Sequence, residues 1–353
     1  MDGIARRSAL LWDSLIGFWR VWVAHLGRKH GILKALAGAR GPLVGEELAH
    51  TLNLNPQAVE AWLSSAHALG IVEKRGGGYT LPTHFKTLLV EEDDPRFIGG
   101  LISYYALRSL DFDAFTTLFT NPTTVGLQGA HLAEAFEEGT RWDHTVFLRR
   151  VLPSLPTLHR TLKAGCRVLD LGCGSGGWIA RLAPLFPKSH FVGVDLDQHS
   201  IERARAKCRG LANTEFTAAR AEDLRYREEF HLVYLGEVLY AIGDKQRVIQ
   251  TCYEALEPGG SIVVCEAVRD PGRNTWRDEN TLVRGALLDY MAQGGNTLSR
   301  NELRNLIVHA GFTTPREHNM HGGLWFFTSR KPPKKHTPTK TQHNTSIHNS
   351  QPT

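Results

Sequence analysis

The chain has 353 residues, 42% apolar and 22% charged, enough for about two domains with sizeable cores. Its five cysteines (Cys166, Cys173, Cys208, Cys252, Cys265) show no metal-type spacing and sit in or beside apolar stretches, which reads as free buried thiols in a reducing, cytoplasmic setting with no bound metal. The net charge of +5 belongs to residues 330–353, where Arg330, Lys331, Lys334, Lys335 and Lys340 meet no acid; the rest carries 36 residues of each sign, which excludes a broad basic face for nucleic acid.

Residues 5–27 read as a helix with aromatics almost all round it (Trp12, Phe18, Trp19, Trp22), so burial is expected, with a second subunit as one partner. The apolar part, Leu10–Leu26, is broken by Asp13 and Arg20 and falls short of the ~20 residues of a membrane span, and no signal peptide is expected. Short helices follow at 31–37 and 46–52. Asn55-Pro56 then opens a third at 56–69, with Asn as cap and Pro at the first helical position. Two short strands around Arg75-Gly76-Gly77-Gly78 read as a hairpin. Helices followed by a hairpin make a winged helix, and 1–94 is expected to be a winged-helix dimerisation domain.

Residues 95–160 read as a helical connector and acceptor-site lid, broken at Asn121-Pro122 and at Pro153 and Pro156. Strands and helices alternate after that. Strands are expected at 167–171, 190–195, 214–217, 230–235, 261–266 and 323–328, in an α/β, doubly wound, mostly parallel sheet over 161–329. A helix at 299–310 carries the capping box Ser299 with Glu302. The Pro/Thr/Asn/His-rich tail, 330–353, is expected to be disordered.

The most telling stretch is Val168–Gly177, an apolar run that ends at Asp170 and breaks into Gly172, Gly174, Gly176 and Gly177. Glycines there let the backbone turn sharply and approach a ligand closely. Gly172-x-Gly174-x-x-Gly177 matches the dinucleotide fingerprint, but a lone match is weak. Asp170, two residues before the first glycine, would crowd a pyrophosphate and suits an amine-bearing ligand. Asp195, at the end of the next strand, suits ribose hydroxyls in either case.

On these residues the chain resembles the class I S-adenosylmethionine-dependent methyltransferases, over about residues 160–329. Val168–Gly176 looks like their first motif and Asp195 like their ribose-binding acid. Ala221–Leu224 looks like the adenine-side loop, and Glu257–Gly260 with Ala310-Gly311-Phe312 like later landmarks. The resemblance implies a seven-stranded Rossmann-like domain with S-adenosyl-L-methionine as cofactor. It assigns cofactor contacts to Asp170, Gly172, Gly174, Asp195, Leu196, Asp223 and Leu224. A winged helix ahead of such a domain is similar to the caffeate-type small-molecule O-methyltransferases and related bacterial enzymes, in which the first domain dimerises and helps enclose the acceptor. Cys252–Leu256, Glu266, Met291 and Gly294-Gly295 stand where that group has similar residues.

Three positions depart from the group. Its catalytic histidine stands four residues before an Asp-Glu pair, whereas here Tyr240 precedes Asp244-Lys245. Arg220 and His231 stand where the group has acids. The acceptor-side candidates are therefore Tyr240, His144 and Glu237, with Trp276, Arg284 and Met291 in a segment that would cap the acceptor pocket. A phenol with an ordinary pKa of ~10 is a poor base and is better suited to orienting an acceptor. The expected reaction is O-methylation of a small molecule by a homodimer. The alternatives are N- or C-methylation, a cofactor-sensing DNA regulator, or a fold that binds the cofactor without transfer. DNA binding is disfavoured because the recognition helix, 56–69, contains no Arg or Lys.

Overall fold

The computed structural model describes residues 3–121, 130–269, 281–320 and 322–334. The N-terminal part contains α1 (Gly3–Lys29), α2 (Ile32–Gly38), α3 (Gly45–Leu52), α4 (Pro56–Ala68), the hairpin β1 (Glu73–Arg75) with β2 (Gly78–Thr80), and α5 (Thr83–Leu89). Asn55 Oδ1 caps α4 by accepting from the Gln57 and Ala58 amides, as the Asn-Pro pair predicts. Gly76 and Gly77 both take positive φ, the condition for a two-residue turn whose twist matches the strands. Leu33, Leu48, Leu63 and Ala66 form this part's own apolar core.

The expected burial of the first helix holds only at its C-terminal end, where Val23, Ala24, His25 and Gly27 are buried. Trp12, Phe18 and Trp19 are exposed at 64%, 51% and 63%. The rest of the chain offers α1 only one packing face, so its all-round aromatic pattern exceeds what a single copy can cover.

A helical layer follows: α6 (Gly99–Arg108), a 3-10 stretch over Ser109–Phe119, α7 (Ala130–Val146), and α8 (Pro156–Ala164), with a wide π turn at Phe147–Val151. Of the expected breaks, Pro153 and Pro156 do mark the exit, while Pro122 lies outside the described residues.

The sheet then builds up as β3 (Arg167–Leu171), α9 (Gly177–Leu182), β4 (His190–Asp195), α10 (Gln198–Lys207), β5 (Thr214–Ala218), β6 (Phe230–Gly236), α11 (Lys245–Ala255) and β7 (Leu256–Ala267). It is completed by α12 (Thr281–Gly285), α13 (Leu287–Ala292), α14 (Arg300–His309), β8 (Arg316–Asn319) and β9 (Leu324–Arg330). The strand order in the seven-stranded sheet is β5-β4-β3-β6-β7-β9-β8. The first five strands in chain order pair in parallel, and β9 runs antiparallel to both β7 and β8. This is the Rossmann-like methyltransferase fold.

Both faces of the sheet are covered. Val168, Phe191, Trp178 and Phe147 fill one side; Leu169, Val192, Ile249 and Ile307 fill the other. That explains why β3 is apolar at nearly every position. All five cysteines are free and buried. Order continues into the basic tail beyond its expected start: Arg330 closes β9, and Lys331 Nζ donates to Leu256 O at 2.7 Å. Residues 335–353 lie outside the described ones. Among the described residues no helix is long and apolar enough to cross a membrane.

The chain runs outward from β3 through β4 to β5, then returns to place β6 on the other side of β3. A crevice opens at such a reversal, beyond the C-terminal strand ends, because the connections leave in opposite directions. Asp170 and Gly172 stand at the end of β3, with Gly236 and Glu237 at the end of β6.

Candidate active site

One cavity of about 360 Å³ occupies this crevice and runs on beneath α6, α7 and α13. Its first end is the glycine turn. The Gly172 and Cys173 amides donate to Val194 O at 2.7 and 3.0 Å, tying the turn to the end of β4. Gly172 has φ +79°, and a Cβ there would stand 2.4 Å from Val238 Cγ2. Only glycine fits that contact in that conformation. Gly174, at φ +51°, would place a Cβ with no atom within 4 Å. The first glycine is thus required by packing, while the second leaves bare backbone beside the cavity.

Two carboxylates flank the turn. Asp195 Oδ2 accepts from the Gly174 amide at 2.8 Å, and its Oδ1 accepts from Asp197 N at 2.9 Å. Asp170 is 2% exposed, and its Oδ2 has no hydrogen-bond partner among the described residues. Burial, and then the Asp195 charge, push the Asp170 carboxyl well above its ordinary value. An unsatisfied buried carboxyl oxygen is costly and rare, and one facing a cavity suits a donor supplied by a ligand. Leu196 is 66% exposed, Asp223 is exposed, and Leu224 packs into the core beneath the sheet; none of the three lines the cavity.

The other end is aromatic, with Tyr104, Tyr105, Phe136, Tyr240 and Tyr290 lining it. Tyr240 meets Tyr290 edge-to-face at 5.1 Å and donates to Gln293 Oε1 at 2.7 Å. Tyr104 donates to Asp289 Oδ2 at 2.7 Å, and Arg108 Nε donates to Asp289 Oδ1 at 3.0 Å. Arg108 also pairs with Asp111, whose Oδ1 meets His131 Nε2 at 2.9 Å. These bonds fix the tyrosine rings from behind.

Neither Tyr240 nor His144 carries a proton equilibrium near neutrality. Burial raises the Tyr240 phenol far above its ordinary value, with Glu237 the next cause. Burial, followed by Arg181, Lys207 and Arg141, lowers His144 to about 3. His144 lies against the glycine turn, its Cε1 being 3.1 Å from where a Gly177 Cβ would stand.

Between the two ends the sequence reading missed Asp143. The apolar stripe Ala135, Gly139, Trp142 and Val146 of α7 carried the signal, since a residue four after Gly139 lies on the same buried face. The tyrosine supports come from α6 and α13, far apart in sequence, and no local pattern announced them. Of the expected capping segment, Trp276 lies outside the described residues, and Arg284 and Met291 do not line the cavity.

The fold is the one methyltransferase domains have, and residues 162–311 match the family model described as "Methyltransferase domain". Phosphoethanolamine N-methyltransferase 1 of Arabidopsis thaliana is 34% identical over 112 residues, 31% of this chain and 23% of that protein. The chain thus spans under a quarter of the length of the phosphoethanolamine N-methyltransferases it matches. A longer match is 3-hydroxy-5-methyl-1-naphthoate 3-O-methyltransferase of Streptomyces sahachiroi, 25% identical over 281 residues, 75% of this chain and 79% of that one. Among solved structures, human N-acetylserotonin methyltransferase in complex with SAM superposes with a TM-score of 0.68 at 19% identity, covering 94% of this chain and 99% of the other.

Proposed function

We propose that this protein transfers a methyl group from S-adenosylmethionine to a hydroxyl oxygen of a small, largely apolar molecule. One observation carries the reading: a single cavity joins a glycine turn with an unpartnered acid to a tyrosine-lined chamber. The long match to an O-methyltransferase supports oxygen as the accepting atom.

The residues fit the cofactor. Asp170 Oδ2 is an orphaned buried acceptor suited to the methionine amine, and Gly174 offers backbone with no side chain in the way. Asp195 takes the ribose hydroxyls, Leu196 beside it is a further cofactor contact, and Asp223 and Leu224 border the adenine. Bound there, the cofactor supplies an already activated methyl on a sulfonium, so the protein's work is alignment and exclusion of water. Tyr240, neutral and held by Gln293, orients the acceptor. His144, neutral beneath the turn, shapes the donor side.

The same reading makes 1–94 a winged-helix dimerisation domain, 95–160 a connector and lid, 161–329 the catalytic domain and 330–353 a basic tail. The exposed Trp12, Phe18 and Trp19 suit a second copy of the chain. Helix α4, without Arg or Lys, is a poor DNA reader. Free buried thiols suit a cytoplasmic setting. Calorimetry with S-adenosylmethionine, followed by transfer of labelled methyl to a panel of phenols, tests the main claim. Micromolar binding with labelled ether products is the expected result; absence of binding would sink it.

A further inference from the structure

The middle of the cavity holds a feature that neither the donor turn nor the tyrosine chamber explains. Glu237 follows β6 with φ +52°, a left-handed conformation that costs a non-glycine residue on the order of 1 kcal/mol and persists where surroundings impose it. Two bonds impose it: Glu237 N donates to Cys265 O at 2.8 Å, and Glu237 Oε1 accepts from Ala267 N at 2.6 Å. The next residues are held too, since Glu266 Oε1 accepts from the Val238 and Leu239 amides at 2.8 and 2.5 Å. The side chain is thereby fixed in the cavity wall with Oε1 used, while among the described residues no hydrogen bond reaches Oε2. Asp143 lines the same stretch from α7, 5% exposed. Tyr234 gives an independent sign of a ligand. It lines the cavity, is 2% exposed and stacks on Trp178 at 4.2 Å, yet its hydroxyl has no partner among the described residues.

Resting on the methyl-transfer reading, we propose that Glu237 is the acceptor-side proton acceptor, backed by Asp143 and taking the place of a histidine base. The acceptor O–H bond breaks as its proton passes to Glu237 Oε2. An oxygen lone pair forms the new C–O bond, and the C–S bonding pair stays on sulfur, leaving a neutral thioether. Glu237 returns its proton to solvent when product leaves.

The surroundings suit this task. The charged neighbours of Glu237 are Asp143 and Glu266, with Lys245 acting on Glu266 from farther off. The neutral titratable ones are Tyr105, Tyr234, Tyr240, Tyr290 and Cys265. Burial, and then Glu266 and Asp143, raise the Glu237 carboxyl well above its ordinary value, so its ionised form binds a proton more strongly than an exposed carboxylate does.

Glu237→Gln keeps an oxygen for the Ala267 amide and removes the base. With a phenol of pKa about 10, kcat at neutral pH is expected to fall roughly 10²–10⁴-fold, the usual worth of a general base. With a nitrophenol already ionised at that pH, the fall should stay under about threefold. Calorimetric affinity for S-adenosylmethionine should be unchanged. In the complex with S-adenosylhomocysteine, phenol affinity should depend on pH in the wild type and lose that dependence in the variant. Equal losses with both acceptors, or no loss with either, would overturn the assignment. Asp143→Asn decides independently: the acid limb of the kcat profile should move to lower pH, and an unmoved limb counts against Glu237. A wild-type protein that neither binds S-adenosylmethionine nor methylates the nitrophenol instead overturns the methyl-transfer reading itself, and the base falls with it.

Discussion

Asp170 and Asp289 are both buried acids at opposite ends of one cavity, and the fold treats them differently. Asp289 is surrounded by its own donors, Tyr104 at 2.7 Å and Arg108 at 3.0 Å. Asp170 has an oxygen that no donor among the described residues reaches. A fold that leaves a carboxylate unpaired in its core gives up stability there, and such concessions cluster at ligand sites. The support around Asp289 is self-sufficient structure, whereas Asp170 keeps an acceptor open to the cavity.

Breaking the paired acid should have the largest effect. Asp289→Ala leaves the fully buried Arg108 guanidinium with Asp111 but without its other carboxylate, and should cost about 3 kcal/mol in urea unfolding. A loss under 1 kcal/mol would mean that the tyrosine wall does not depend on this pair. The two glycines separate packing from binding next. Gly172→Ala drives a Cβ to 2.4 Å from Val238 and should cost about 2–4 kcal/mol, the sum of overpacking and left-handed strain. Gly174→Ala meets no atom and should cost only about 1 kcal/mol, while cofactor affinity drops sharply.

Asp170→Asn should run the other way and stabilise the free protein by about 1 kcal/mol, because it removes an unpaired buried charge. The sign with pH follows from the raised carboxyl. Wild-type stability falls as pH rises from the ordinary value of 3.8 toward the folded one, so the variant's advantage should be absent near pH 3 and full at the alkaline end. Its cofactor affinity should drop about tenfold or more. A melting series over pH, with and without S-adenosylmethionine, reads both effects. Tyr240→Phe should be smallest, about 1 kcal/mol for the lost Gln293 bond, with a weakened acceptor KM. An unchanged KM would remove Tyr240 from the acceptor site.

Much of the donor end was legible because it is contiguous. A buried parallel strand, an acid and a run of glycines occupy ten residues, and each has a local physical reason. The Asn55 cap and the Ser299–Glu302 box formed as their spacing requires, since caps depend on neighbours three residues apart. Strand β8 escaped because Arg316–Asn319 has no apolar alternation; it forms by pairing with β9 at the sheet edge. The aromatic helix α1 misled on burial for the opposite reason, since a sequence shows which residues call for cover and not what covers them.

The sequence by itself determined the strand–helix alternation, the glycine turn and its two acids, because these rest on period, propensity and steric limits within a few residues. Only the tertiary structure decided the acceptor side. Tyr104, Asp143, Glu237 with Tyr240, and Asp289 come from four separate segments, and reversal of strand order between β3 and β6 is what brings them around one cavity. It also decided which of the buried acids are satisfied and which are not, because hydrogen-bond partners are set by three-dimensional neighbours and not by residue type.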